Sequence, residues 1–264
     1  LAGGTRTLAG FILRALGIET GIRVITESRV PAGSGLGGSS ALAVAIAAAL
    51  ARAFGRTLED TALVSLVRDA EAQAIRVPTG VQDYWAALRG GVQSVVLEPG
   101  GPRSEPLRVD LARVEESLLL VDAGIARFSG LNNWEMFKRR IDGDPGVTRS
   151  FEAIAGVARR VRDSLLAHRY DDLASQLAEE WEARKSLAAG VSTPEIDAIV
   201  EAARAAGAGA KVCGAGGGGI VAVWAAAGTP GSGSRKATLE ALSGVGFSPL
   251  PFRVDPGGLR VDEL

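Results

Sequence analysis

Two carboxylates and two neighbouring hydroxyls stand out in this chain by type and setting: Glu71, Asp83, Ser39 and Ser40. The serines close the run GSGLGGSS at 33–40, where a glycine-rich loop opens directly into an uncharged, alanine-rich stretch. Such a loop allows close backbone approach and presents free amides at the positive end of a helix dipole, which suits a phosphate chain. A serine hydroxyl at the helix start can ligate the Mg²⁺ that accompanies a nucleoside triphosphate. Glu71 and Asp83 flank a loop, so one carboxylate could hold the ion while the other orients or deprotonates an attacking hydroxyl. A second glycine run, GAGGGG at 214–219, follows closely on Lys211. Each feature also has a plainer reading: a flexible turn before a buried helix, a tight turn between helix and strand, and solvated charges.

The first run lacks the lysine of a Walker A loop, and its spacing fails the dinucleotide fingerprint. Composition narrows the chemistry further. Cys213 and His168 are the only cysteine and histidine, which excludes an internal disulfide and argues against a Cys/His metal site and a Ser-His-Asp triad. Lysine occurs only at 138, 185, 211 and 236. Twenty-nine lysines and arginines offset 30 aspartates and glutamates, so no net field draws the chain to nucleic acid or an anionic membrane. The longest apolar run, 41–51, falls short of the roughly 20 residues a membrane span requires, and no leader precedes it. The expectation is a soluble, cytoplasmic protein without nucleic-acid or membrane partners, with oligomerisation left open. Leu1 stands where an initiator methionine would, which suggests that the sequence begins inside a longer protein.

The elements that must hold these groups can be read along the chain. Residues 5–16 carry apolar side chains at helical spacing up to Gly17. Residues 21–31 read as a strand with Ile22, Val24 and Thr26 on one face, ended by Pro31 and feeding the glycine loop. From Ser39 the pattern turns helical, apolar on nearly every face over 41–53, with Ser39 or Ser40 as N-cap. Residues 57–75 read as a helix pair opened by a capping-box spacing of Thr57 and Asp60. A loop, a short helical turn and a strand at 92–97 follow, with further strands at 106–111 and 117–124. A long helical section covers 147–187, and a helix opened by Thr193 and Pro194 runs to about Ala206. Glycine loop and strand recur over 210–225, before a helix at 235–242 and a last strand at 248–254. Helices and strands are intermixed with antiparallel neighbours around 90–118, which argues against a doubly wound parallel sheet. The domain border is expected within 106–122. His168 reads as an exposed helix residue, Cys213 as a buried small side chain, and Trp85, Trp134, Trp181 and Trp224 as packing residues.

PAGSGLGGSSALAVA at 31–45 resembles the Pro-x-x-x-Gly-Leu-Gly-Ser-Ser-Ala motif of the GHMP kinases, the superfamily of galactokinase, homoserine, mevalonate and phosphomevalonate kinases. TGVQDYWAALRGG resembles that superfamily's segment with the catalytic aspartate, and KVCGAGGGGIVAVW its C-terminal glycine motif. Three motifs in order over nearly the whole chain carry the resemblance. Residues 71–91 and the block STPEIDAIVEAARAAGAGAKVCGAGGGG are most similar to sugar 1-kinases acting on heptose 7-phosphate, with fucokinases nearby.

The resemblance implies an α+β, two-domain GHMP kinase fold: a ribosomal protein S5 domain 2-like, ATP-binding part over 1–115 and a ferredoxin-like part over 116–264. It implies ATP and Mg²⁺ as cofactors. Pro31, Gly33, Gly35, Leu36, Gly37, Gly38, Ser39 and Ser40 would bind the nucleotide, with Ser40, or Ser39 beside it, and Glu71 on Mg²⁺. Asp83 would face the substrate hydroxyl, and Lys211 would assist with charge. Gly214, Gly216 and Gly217 would close the site near the transferred phosphoryl group, and Arg127 would lie near the substrate. The implied activity is phosphorylation of a sugar hydroxyl in carbohydrate metabolism, with the anomeric hydroxyl of a heptose 7-phosphate foremost. A mevalonate-type or amino-acid-alcohol kinase and a non-catalytic nucleotide-binding relative remain as alternatives. The family's N-terminal motif, ahead of Thr5, is not in this sequence. Residues 132–144 match no assigned family motif and read as a substrate loop or lid.

Overall fold

The computed structural model describes residues 7–19, 21–30, 34–125, 130–225 and 234–262, the side chains of 130–133 apart. These divide into two compact units. The first holds the described residues up to 30, Gly37–Pro106, and the chain from Asp255 onward. The second holds 34–36 and Leu107–Val254.

In the first unit, helices α1 (Leu8–Ala15), α2 (Gly38–Ala53), α3 (Asp60–Ile75) and α4 (Gln82–Arg89) pack on one another. The strands β1 (Gln93–Glu98) and β2 (Gly101–Pro106) form an antiparallel hairpin after them. The alanines of α2 favour helix and keep its girth small, so neighbouring helices approach it closely. Ala43, Val44, Ala47 and Leu50 are buried in a cluster with Ile12, Val64, Val67, Tyr84 and Trp85. The extended segment 21–30 differs from expectation. Ile22 and Val24 alternate inward onto this core, yet the backbone joins no ladder among the described residues. Side-chain alternation was legible, whereas a strand also requires a partner backbone. The helix pair expected over 57–75 is the single helix α3, and its N-cap position is Glu59 instead of Thr57.

The strand expected at 106–111 is not formed: 107–110 of the second unit join no ladder among the described residues and lead into α5 (Leu111–Ser117), capped by the Asp110 side chain on the Arg113 amide. Then follow β3 (Leu118–Asp122), α6 (Gly130–Ile141), α7 (Pro145–Leu166), α8 (Asp172–Lys185) and α9 (Pro194–Ala205). The unit is completed by β4 (Gly209–Val212), β5 (Ile220–Trp224), α10 (Arg235–Gly244) and β6 (Pro249–Leu250). The sheet order is β4-β5-β3-β6 with every pairing antiparallel. A strand, helices, two strands, a helix and a strand in that order make the split βαβ arrangement of ferredoxin-like folds. The expected 147–187 helix is two helices. After α7 the Arg169 amide bonds back to the Ser164 carbonyl at 2.8 Å, and His168, exposed as expected, turns left-handed at φ 54° and not helical.

The two compact units divide between Pro106 and Leu107, and the chain from Asp255 onward belongs to the first unit. Asp255 accepts the Gly91 amide at 2.7 Å, and the Leu259 amide reaches the Leu88 carbonyl at 3.2 Å. A Cβ on Gly90 would lie 2.4 Å from the Gly258 nitrogen, so two glycines let these backbones touch. Trp85, Trp181 and Trp224 are buried, whereas Trp134 is 48% exposed and does not pack as expected. Among the described residues no helix is long and apolar enough to cross a membrane.

Candidate active site

The first unit gathers its reactive groups at the start of α2. Gly37 occupies the N-cap with φ 70° and supplies no side-chain cap. The first intrahelical bond runs from the Ala41 amide to the Gly37 carbonyl at 2.9 Å. The amides of Gly38, Ser39 and Ser40 therefore have no intrahelical acceptor and face the helix end, an anion-binding arrangement. A Cβ on Gly37 would sit 2.9 Å from the Asp83 Cβ. Glycine is needed there twice over, for its left-handed φ and for the room it leaves Asp83.

Ser39 is exposed, whereas Ser40 is buried and donates to Glu71 Oε2 at 3.2 Å. Between the two hydroxyls offered by the sequence, Ser40 is thus the one joined to the carboxylate. The Tyr84 hydroxyl donates to the same Oε2 at 2.6 Å. Its single proton is committed there, so the Thr79 hydroxyl, 3.0 Å from the phenol oxygen, donates to it. Burial, and then the hydrogen bond to Glu71, push the Tyr84 phenol far above its ordinary value, which keeps it a donor. Burial, reinforced by the nearby Glu71 charge, raises Asp83 above the usual aspartate range, toward proton acceptance at higher pH.

The donors fit a hard, oxygen-seeking divalent cation such as Mg²⁺. Ser40 keeps its lone pairs after donating its proton, and both hydroxyl donors converge on Oε2 of Glu71, with no bond to Oε1 among the described residues. No cluster of three or more His, Cys, Asp or Glu among the described residues could hold a metal alone. Mg²⁺ bound here would take its remaining ligands from phosphate and water, its usual habit.

In the second unit the glycine run at 214–219 is held between two strands and two loops. The Gly217 amide donates to the Val191 carbonyl at 2.6 Å and the Gly219 amide to the Ile125 carbonyl at 2.9 Å. A Cβ on Gly216 would meet Val191 O at 2.5 Å, and one on Gly218 would meet Ile125 O at 2.5 Å. Gly35 packs on the Cys213 carbonyl, 2.7 Å from where its Cβ would be, and the Ser34 carbonyl accepts the Ile220 amide. Gly217 thus spends its amide inside the protein. Cys213 is half-buried.

Lys211 is tied down. Its Nζ lies 2.9 Å from Glu180 Oε1 on α8, and Arg184 bonds the same oxygen, with Nε at 2.8 Å. Arg184 Nη1 also reaches the Gly214 carbonyl at 3.2 Å, linking the ion cluster to the glycine run. Burial works to raise Glu180, but the Lys211 charge and the Arg184 bond outweigh it and hold the carboxyl below its ordinary value. Pro31, Gly33 and Arg127 lie outside the described residues. Residues 130–141 are helical (α6), so much of the expected 132–144 loop is helix. Tyr84, Thr79, Glu180 and Arg184 escaped sequence reasoning. Only the placement of Tyr84 directly after Asp83 hinted at any of them.

The family model for the GHMP kinases N terminal domain matches residues 5–91, and that for GHMP kinases C terminal matches residues 161–243. A mevalonate kinase of Pyrococcus horikoshii is 30% identical, covering 93% of this chain and 70% of its own. A D-glycero-alpha-D-manno-heptose 7-phosphate kinase of Campylobacter jejuni is 29% identical, covering 74% of this chain and 59% of its own. A bifunctional fucokinase/GDP-fucose pyrophosphorylase of Arabidopsis thaliana is 27% identical over 76% of this chain, which spans 20% of that protein. The chain therefore spans less than two thirds of the length of these last two relatives. The crystal structure of Lactococcus lactis galactokinase complexed with galactose superposes with a TM-score of 0.71, covering 95% of this chain and 74% of that one, at 18% identity. That likeness is one of fold, and the two-domain α+β architecture expected from the sequence is the one found.

Proposed function

The chain belongs to the GHMP kinase family, and on that premise we propose that it moves the γ-phosphoryl group of ATP onto a hydroxyl of a sugar or sugar phosphate. The anomeric hydroxyl of a heptose 7-phosphate is the leading acceptor, a choice supported by the relatives named for heptose 7-phosphate and fucose chemistry. The observation that carries the reading is the convergence of Asp83, Glu71 and Ser40 on the uncapped start of α2. Mg-ATP, when bound, supplies the phosphoryl group and the cation that offsets its charge. Ser40 and Glu71 are the residues that would hold Mg²⁺, and the amides of Gly38, Ser39 and Ser40 would receive phosphate oxygens. Asp83, seated against Gly37, orients the acceptor hydroxyl and takes its proton. Its raised affinity for a proton makes it the stronger acceptor for that task. Positioning and charge stabilisation do most of the work in such transfers. Lys211, paired with Glu180, acts on this reading through the ion cluster whose Arg184 reaches the Gly214 carbonyl. Arg127 is proposed to contact the acceptor.

A mevalonate-type acceptor is the second reading, favoured by the 30% identity with a mevalonate kinase over most of the chain. Release of ADP with Mg-ATP across heptose 7-phosphate, mannose, fucose, galactose, mevalonate and homoserine separates the two, run beside Asp83→Asn. Turnover on a sugar that collapses in the variant upholds the first reading, and turnover on mevalonate alone replaces it. ATP binding with no turnover on any acceptor would mark a non-catalytic relative.

A further inference from the structure

We infer that Tyr84 is a positioning residue, which fixes the carboxylate of Glu71 so that Oε1 is the oxygen offered to the metal. The inference rests on the reading that Glu71 and Ser40 hold Mg²⁺. A glutamate side chain turns about three bonds, and a carboxylate can meet a cation through either oxygen or both. Here the choice is made by hydrogen bonds. Tyr84 is fully buried, and its hydroxyl donates to Oε2 at 2.6 Å, while Ser40 donates to the same atom at 3.2 Å. Oε2 is occupied by two donors, and Oε1 is left without one among the described residues.

The phenol is itself oriented. Thr79, in the turn before α4, donates to the Tyr84 oxygen at 3.0 Å, which completes a relay from Thr79 through Tyr84 to Glu71. Tyr84 also adjoins Asp83 in the first turn of α4. One rigid turn of helix thereby presents the group that faces the acceptor and locks the group that faces the metal, on the neighbouring helix α3. Partners behind a metal ligand typically contribute 10- to 100-fold in metal affinity. A tyrosine that merely filled the core would affect stability without touching that affinity.

The test is equilibrium binding of Mn²⁺, followed by the electron paramagnetic resonance of the free ion, to the full chain with a non-hydrolysable ATP analogue. Tyr84→Phe keeps the ring and removes the hydroxyl, Thr79→Val removes its orienting donor, and Glu71→Gln is the reference for losing the ligand. The expected result is metal affinity about tenfold weaker or more in Tyr84→Phe. A smaller loss is expected in Thr79→Val, with nucleotide affinity measured without metal unchanged in both. If Glu71→Gln weakens Mn²⁺ binding while Tyr84→Phe and Thr79→Val match the parent, the positioning role is overturned and the metal site stands. If Glu71→Gln itself binds Mn²⁺ as the parent does, the site reading fails and takes the inference with it. Should Tyr84→Phe fail to fold, Thr79→Val decides alone: parental affinity rejects the relay, and weakened affinity upholds it.

Discussion

The two glycine runs look alike in sequence and are built to opposite ends. The first ends at an uncapped helix start, where Gly37 makes room for Asp83 and the next amides stay free of intrahelical acceptors. The second is closed from both sides: Val191 and Ile125 take its amides, and a Cβ at Gly216 or Gly218 would collide with those same carbonyls. Charge follows the same division. Around the first run, Glu71 is buried and Asp83 half-buried with no cation bonded to either among the described residues, so burial and the Glu71 charge drive Asp83 toward its neutral form. Beside the second, a buried carboxylate is matched by Lys211 and Arg184 and driven toward its charged form. A site that is to receive a cation keeps its negative groups unpaired, and a support neutralises its own. Substitutions near the first run should therefore act on turnover, and those near the second on stability.

The largest effect is expected at Asp83. Asp83→Asn should lower kcat by roughly 10²–10⁴-fold, read as ADP release at saturating substrates. A loss of only a few-fold would reduce Asp83 to a packing partner of Gly37 and break the comparison at its strongest point. Next comes Glu180→Ala, which leaves Lys211 and Arg184 without their shared carboxylate in a largely buried setting. Breaking such a cluster costs about 3–5 kcal/mol in stability, measurable by urea unfolding. An unchanged midpoint would show the cluster to be solvated and would remove the contrast between a receptive and a self-neutralised region. Gly216→Ala should cost less, on the order of 1–3 kcal/mol, because a left-handed φ and a carbonyl at 2.5 Å both oppose a methyl group.

Much of this contrast was invisible in sequence, for reasons that differ by element. Helices announced by local chemistry were legible: Thr193 caps α9 ahead of Pro194, and α2 buries Ala43, Val44, Ala47 and Leu50, although Ala41, Ala45 and Ala49 leave one stripe of it exposed where burial on every side was expected. The segment at 21–30 was half legible, since its alternation places Ile22 and Val24 on the core but says nothing of a backbone partner. For the site, Glu71, Asp83 and Ser40 were identified by residue type and resemblance, and the structure brings Glu71 together with Ser40 and seats Asp83 by Gly37. Tyr84 and Glu180 were not, because a tyrosine and a helix glutamate become informative only through what they touch. The same holds for Gly90 and Gly258, whose close approach brings the tail back to the first unit, although they lie far apart in the chain. Lys211 shows the converse: a suggestive position in sequence, explained in space by an ion pair.

The smallest effect is the most discriminating, because its sign reverses between the two regions. Asp83 has a raised pKa in the folded chain, so its contribution to stability is fully present below the ordinary value of 3.8 and is lost as pH rises through the raised value. At neutral pH its ionised form opposes folding, and Asp83→Asn should raise the melting temperature of the metal-free protein while lowering turnover. That gain should fade on acidification and vanish below the ordinary value. Glu180 has a lowered pKa, so its contribution is present above the ordinary value of 4.5 and is lost as pH falls through the lowered one. Glu180→Gln should therefore lower the melting temperature at neutral pH, by an amount that shrinks toward acid. Melting curves of both variants against the parent across pH 3–8, read by circular dichroism, should show two differences of opposite sign that both shrink toward acid. Curves of the same sign would mean that the carboxylates share one electrostatic setting, and the functional division between the two glycine runs would then have to rest on backbone geometry alone.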